Sequence, residues 1–128
     1  MTQATHETDP DRPAVLDAQA LAGLTMLDPT GANKLVQRVL STYQASLGRL
    51  LQQIDDGRQR ADHAAVRLAA HTLKSSSASI GALDLSRLCA TAEQTIREGQ
   101  LDALPTIVDS LQSEARRVAL AVQAMLSA

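Results

Sequence analysis

The sequence predicts an all-α protein, an antiparallel four-helix bundle with a short N-terminal capping helix. Four long segments show apolar residues at helical spacing, and short breaks marked by Gly, Pro or Asp separate them. Composition agrees: 45% of the 128 residues are hydrophobic, yet Tyr43 is the single aromatic residue, so the core is built from Leu, Val, Ile and Ala. A chain of this length suits one domain with one core. Residues 1–13, with Asp9-Pro10-Asp11-Arg12-Pro13, carry no helical period and read as a mobile tail. Residues 14–128 then form the domain.

Val15 to Met26 reads as the short capping helix, and Leu27-Asp28-Pro29-Thr30-Gly31 is turn chemistry. From Ala32 to Asp56 the residues Leu35, Val36, Val39, Leu40, Tyr43, Leu47, Leu50, Leu51 and Ile54 fall within an arc of about 160° at 100° per residue. That is one long helix with one buried face, and Gly57 is its expected stop. Asp62 is the expected N-cap of a third helix running to Ile80, which Gly81 ends. A fourth, Asp84 to Glu98, turns Leu85, Leu88, Ala92 and Ile96 inward and closes at Gly99. The last starts near Asp102 and tolerates Pro105 in its first turn. Its residues Ile107, Val108, Leu111, Ala115, Val118, Val122, Met125 and Leu126 lie within about 100° of one another. Short connections between long helices make neighbours antiparallel.

The formal charge of -2 and a pI near 5.8, without a basic run, argue against nucleic acid or anionic lipid as partner. No apolar run approaches the length of a bilayer span, and Met1 to Pro13 lacks the apolar core of a signal peptide. With Cys89 the only cysteine, no disulfide can form within the chain, and the expected compartment is the cytoplasm.

On the third helix Val66, Ala69, Leu73 and Ile80 cluster on one side, and His71 points about 160 to 180° away from them. His71 therefore faces solvent. Ala64, Ser75 and Ala78 share its face, so the imidazole rises from small side chains where an exposed helix normally carries long charged ones. Such a floor lets another protein's surface reach the ring, although Ala is also simply a good helix former. Lys74 one turn on and Arg67 one turn before place positive charge beside the ring, where a transferred phosphoryl group would sit. Arg67 fits a solvated basic face equally well.

The run His71-Thr72-Leu73-Lys74-Ser75-Ser76-Ser77, followed by Gly81-Ala82, Leu85, Leu88-Cys89 and Glu93, resembles the signature of the histidine phosphotransfer (HPt) family. The motif match runs from His71 to Glu93, and the helical layout extends the resemblance over nearly all the chain after the tail. A His-x-x-Lys pair alone is a weak signal; the whole constellation in a four-helix context is specific. The resemblance implies a phosphocarrier of two-component phosphorelays. In it His71 is the phosphoacceptor, Lys74 the phosphate-facing cation, and Glu93 the group that orients the imidazole. On the helical wheel, Ala64, Arg67, Ser75 and Ala78 are the candidate partner-binding surface around it. Ser75 departs from the Gly commoner in the family, which bears on partner preference. The implied partners are a response-regulator receiver domain and a sensor or hybrid histidine kinase.

An imidazole in water is largely uncharged at neutral pH and has a lone pair for attack on phosphorus. If Glu93 accepts the proton of Nδ1, Nε2 becomes the nucleophile, and Lys74 offsets charge on the phosphoryl oxygens. Glu93 reads otherwise as a flanking surface carboxylate. The sequence has no Gly-rich nucleotide loop, P-loop or clustered carboxylates of a magnesium site, so the expectation is a carrier without cofactor, the magnesium sitting on the partner receiver. Asp55-Asp56 beside Gly57 reads as a solvated helix end. His63 and His71, about 80° apart on the wheel, are poorly placed for joint metal ligation, and Cys89 reads as a small core or boundary residue. Ser75 to Ser77 have no second His or Asp to activate them and suit tight helix packing. The alternative is a helical docking protein that regulates a kinase or receiver without being phosphorylated. A metal-dependent hydrolase ranks below both.

Overall fold

A computed structural model describes residues 15–127, and the expected tail lies outside the described residues. Five helices follow one another: α1 (Ala18–Met26), α2 (Leu35–Gln59), α3 (His63–Ser79), α4 (Leu83–Arg97) and α5 (Leu104–Ser127). No strand occurs among the described residues. The four long helices pack in a ring, α2 on α3, α3 on α4, α4 on α5 and α5 back on α2, while α1 leans on α2. This is the expected bundle with its short first helix.

The core between the four is almost entirely aliphatic. Leu40, Leu47 and Ile54 of α2 meet Val66, Ala69 and Leu73 of α3, Leu85 and Ala92 of α4, and Val108, Leu111, Val118 and Val122 of α5. Leu35, Val36, Val39 and Leu51, expected on the buried face of α2, are half-buried, as are Leu88 and Ile96 on α4. Met125 departs further: expected inside, it is 37% exposed. It lies in the last turn of α5, where its neighbour Leu126 is itself only half-buried. The single aromatic residue spends its hydroxyl inside: Tyr43 Oη and Ser77 Oγ share a buried hydrogen bond of 2.8 Å, and burial pushes the phenol up to about 12.

Helix boundaries show which local chemistry acts. Helix α2 begins at Leu35, later than expected, because the buried Asp28 carboxylate accepts from the backbone N–H groups of Asn33 (3.2 Å) and Leu35 (3.1 Å) and holds Ala32 to Lys34 in the turn. Helix α5 likewise starts two residues late, at Leu104, after a turn through Asp102 and Ala103, with Pro105 in its first turn. Asp62 caps α3 through Ala65 N–H (3.1 Å), as expected.

Gly57 is not the stop of α2. The helix runs through it to Gln59, and the left-handed residue that ends it is Ala61 (φ 54°), with Asp62 N–H donating to Gly57 O at 2.8 Å. Gly57 serves packing instead: a Cβ there would lie 2.9 Å from Val66 Cγ2 and 3.2 Å from Asp62 O. The missing side chain lets α3 start directly against α2.

Gly81 does act as the expected stop of α3. It takes φ +84°, and Ala82 N–H returns to Ser77 O at 2.8 Å. A Cβ on Gly81 would also strike the Asp17 backbone at 2.7 Å, because Asp17 N–H donates to Gly81 O (2.8 Å) while its carboxylate caps α1 through Ala20 N–H. One glycine thus turns α3 into α4 and anchors the capping helix.

Gly57→Ala should therefore lower stability by about 1 kcal/mol, overpacking outweighing the gain in helix propensity. Gly48→Ala, at an exposed position of the same helix with nothing within 4 Å of the new Cβ, should raise it by about 0.5 to 1 kcal/mol. Urea denaturation of both variants checks the opposite signs.

Candidate functional site

The α3–α4 hairpin builds the site. Small residues line its seam: Ala70, Ser77, Ala82 and Cys89 are buried, and Ser86 Oγ donates to Lys74 O (2.9 Å), tying α4 to the backbone of α3. Together with the Gly81 turn this fixes the register of the two helices. Position 93 of α4 then comes opposite positions 71 and 74 of α3.

Glu93 lies in that seam with its side chain only 3% exposed, and three groups converge on it. His71 Nδ1 is 2.8 Å from Oε2, Lys74 Nζ donates to Oε1 at 2.8 Å, and Arg97 Nη2 donates to Oε2 at 2.8 Å. The hydrogen bond from Lys74 holds the Glu93 carboxyl below its ordinary value against the opposing cost of burial, with the His71 contact helping. An ionised carboxylate can only accept, so His71 Nδ1 is the donor, and in the neutral ring the lone pair is then on Nε2, on the far side of a side chain that is 58% exposed.

Lys74 does not stand alone as a surface cation. It is about one-third exposed and paired with Glu93, the carboxylate that also contacts the imidazole. Two cations, Lys74 and Arg97, oppose one carboxylate, so the cluster keeps net positive charge beside the imidazole. Ala64, Ser75 and Ala78 lie exposed on α3 as expected, and Arg67 is half-buried one turn before His71.

Two residues of this surface were missed from sequence. Arg97 lies one helical turn after Glu93, an i,i+4 pairing the sequence does contain. Leu68, one turn before His71, is 62% exposed, an aliphatic side chain on an otherwise small and polar face. Cys89 is a core residue: burial, then the nearby Glu93 charge, pushes its thiol up to about 12. Among the described residues no group of His, Cys, Asp and Glu is placed to hold a metal ion, and no helix is long and apolar enough to cross a membrane.

The sequence profile of the Hpt domain matches residues 38–128, which is most of the chain. The protein belongs to the Hpt-domain family. Hpt domains are in general phosphocarriers, and the role of this one is phosphotransfer in a phosphorelay. Two solved structures share its fold. Histidine-containing phosphotransfer protein B of Pseudomonas aeruginosa PAO1 is 23% identical, with 91% of this chain and 97% of that chain covered and a TM-score of 0.80. A rice protein assigned as a histidine-containing phosphotransfer protein is 19% identical, with 97% and 85% covered and a TM-score of 0.76. No curated protein matches the chain.

The Glu93 geometry makes stability depend on pH in one direction. A carboxyl held low in the folded state stabilises above its unfolded value, near 4.5, and that stabilisation is lost as pH falls through the folded value. Glu93→Gln should therefore be less stable than the parent at pH 7, with the gap closing below about pH 4.5, as urea titrations across this range would measure.

Proposed function

We propose that His71 accepts a phosphoryl group on Nε2 and exchanges it with the aspartate of a response-regulator receiver domain, a sensor or hybrid histidine kinase being the other partner. The observation that carries this reading is the Nδ1 contact to buried Glu93, which fixes the tautomer and turns the nucleophilic nitrogen outward. In-line attack needs an exposed, correctly oriented lone pair, and the ring is held for that by an element other than its own helix. Lys74 and Arg97 supply positive charge that attracts the incoming phosphoryl oxygens.

The chain acts as carrier without ATP or metal of its own. Magnesium, the acceptor carboxylate and the nucleotide belong to the partners, and the exchange takes place in the cytoplasm. Ala64, Ser75 and Ala78 keep the approach to Nε2 low, with Arg67 at its edge, and Leu68 offers the apolar contact a docked receiver would cover.

Incubation with a phosphorylated receiver should place an acid-labile, alkali-stable phosphate on the protein, and His71→Gln should abolish it. Normal labelling of that variant, or binding without label by the parent, would sink the reading in favour of a docking protein. Lys74→Ala should still be labelled but transfer on the order of 10-fold more slowly. Leu68→Ala should weaken receiver binding by about 1 kcal/mol with the fold intact, measured by calorimetric titration.

A further inference from the structure

We propose that the Glu93 carboxylate, balanced by Arg97, sets how long a phosphoryl group stays on His71 by holding a proton on Nδ1 of the phosphorylated ring. The inference rests on the reading of His71 as phosphoacceptor and concerns the step after loading.

Once Nε2 carries the phosphoryl group, Nδ1 is the remaining basic nitrogen of the ring. When Nδ1 is bare, breaking the N–P bond must expel an imidazolate anion, a poor leaving group. When Nδ1 keeps its proton, the electron pair of the N–P bond returns to Nε2 and the ring departs as neutral imidazole. The new O–P bond forms to a receiver carboxylate oxygen, or to water, which then releases one proton to solvent. The occupancy of Nδ1 by a proton therefore governs both the resting lifetime and the readiness to donate.

Glu93 Oε2 sits 2.8 Å from Nδ1 with its own side chain only 3% exposed, so its negative charge answers a proton held on that nitrogen. The same oxygen also accepts from Arg97 Nη2 at 2.8 Å, so Arg97 draws off part of that charge and adds its own repulsion. Lys74 does the same through Oε1. The other charged group on this face of α3 is Arg67. On α4, Asp84 and Arg87 pair with each other nearer the start of the helix, and Cys89 below the seam is a neutral thiol. From α2 and α5 no charged group bonds to this cluster among the described residues; Glu114 of α5 pairs with Arg117 of its own helix. The proton on Nδ1 is thus set by one carboxylate against two bonded cations. Of these Arg97, 56% exposed against one-third for Lys74, lies at the edge of the seam.

The test loads the full chain with phosphoramidate, removes the donor and follows loss of label from pH 5 to 10. For Glu93→Gln the midpoint of the decay profile should fall by about one pH unit or more, and the phosphoprotein should live several-fold longer near neutrality. For Arg97→Gln the midpoint should rise and the lifetime shorten, a reversal that general loosening of the site does not produce. Unchanged profiles, or both variants moving the same way, overturn the proposal. Should Glu93→Gln fail to fold, the direction of the Arg97→Gln shift decides alone. Absence of label on His71 in the parent overturns the phosphoacceptor reading and this inference with it, whereas normal labelling with unshifted profiles overturns only the inference.

Discussion

A carboxylate in a helix seam must have its charge answered, because an ion taken out of water and left unpaired costs several kcal/mol, on the order of 3 to 5 when one partner of a buried pair is removed. Glu93 meets that condition with three donors, two from α3 and one from its own helix. The position of α4 on α3 is therefore constrained by chemistry as well as by packing. The Gly81 turn, the return of Ala82 N–H to Ser77 O and the Ser86 bond to the Lys74 carbonyl all hold the register in which those donors are reached. Orientation of the imidazole follows from the same register, so the fold and the site share one determinant.

The small residues of the seam have a corresponding purpose. Two helices can share a carboxylate between short-range donors only if their backbones approach closely, and Ala70, Ser77 and Ala82 permit it. Ser77 also gives the buried Tyr43 hydroxyl a partner, so the one aromatic residue of the core leaves no phenolic group unpaired. On the opposite side of α3 the bare Cα of Gly57 performs the equivalent service toward α2. Helix α3 is thus held close on both flanks while its outer face, with His71, stays open.

Periodicity made the bundle legible, because apolar spacing in α2 to α5 has a single physical reading in an Ala- and Leu-rich chain. Boundaries were less so. Gly57 looked like a stop because glycine usually supplies a left-handed cap, and only the approach of Val66 reveals the packing role; Ala61 adopts the left-handed conformation that its side chain disfavours. Asp28 delays α2 through hydrogen bonds to residues five and seven positions on, beyond any local capping pattern. The spacing of His71 and Lys74 was visible along one helix, but their common bond to Glu93 depends on a pairing between helices that no one-dimensional pattern contains; the family resemblance linked Glu93 to His71 alone, and the Lys74 bond to the same carboxylate was not foreseen. Arg97 was readable as an i,i+4 partner of Glu93, yet its weight appears only once Glu93 is seen to be buried.

The charge arrangement separates two demands that otherwise conflict. A phosphoryl carrier needs cations to attract a highly charged group, but a cation placed directly over Nε2 would obstruct the in-line approach and repel the proton the ring needs to leave. Here Lys74 and Arg97 are each tied to the carboxylate that also contacts Nδ1, and the exposed face of α3 around His71 carries Ala64, Ser75 and Ala78, with Leu68 one turn before. The positive charge is thus gathered at the seam beside Glu93, while the α3 surface around the ring carries mainly small side chains. The proton on Nδ1 lies between the two regions. Arg97 lies on the rim of that cluster, 56% exposed, and on α4 rather than on the α3 face that carries His71.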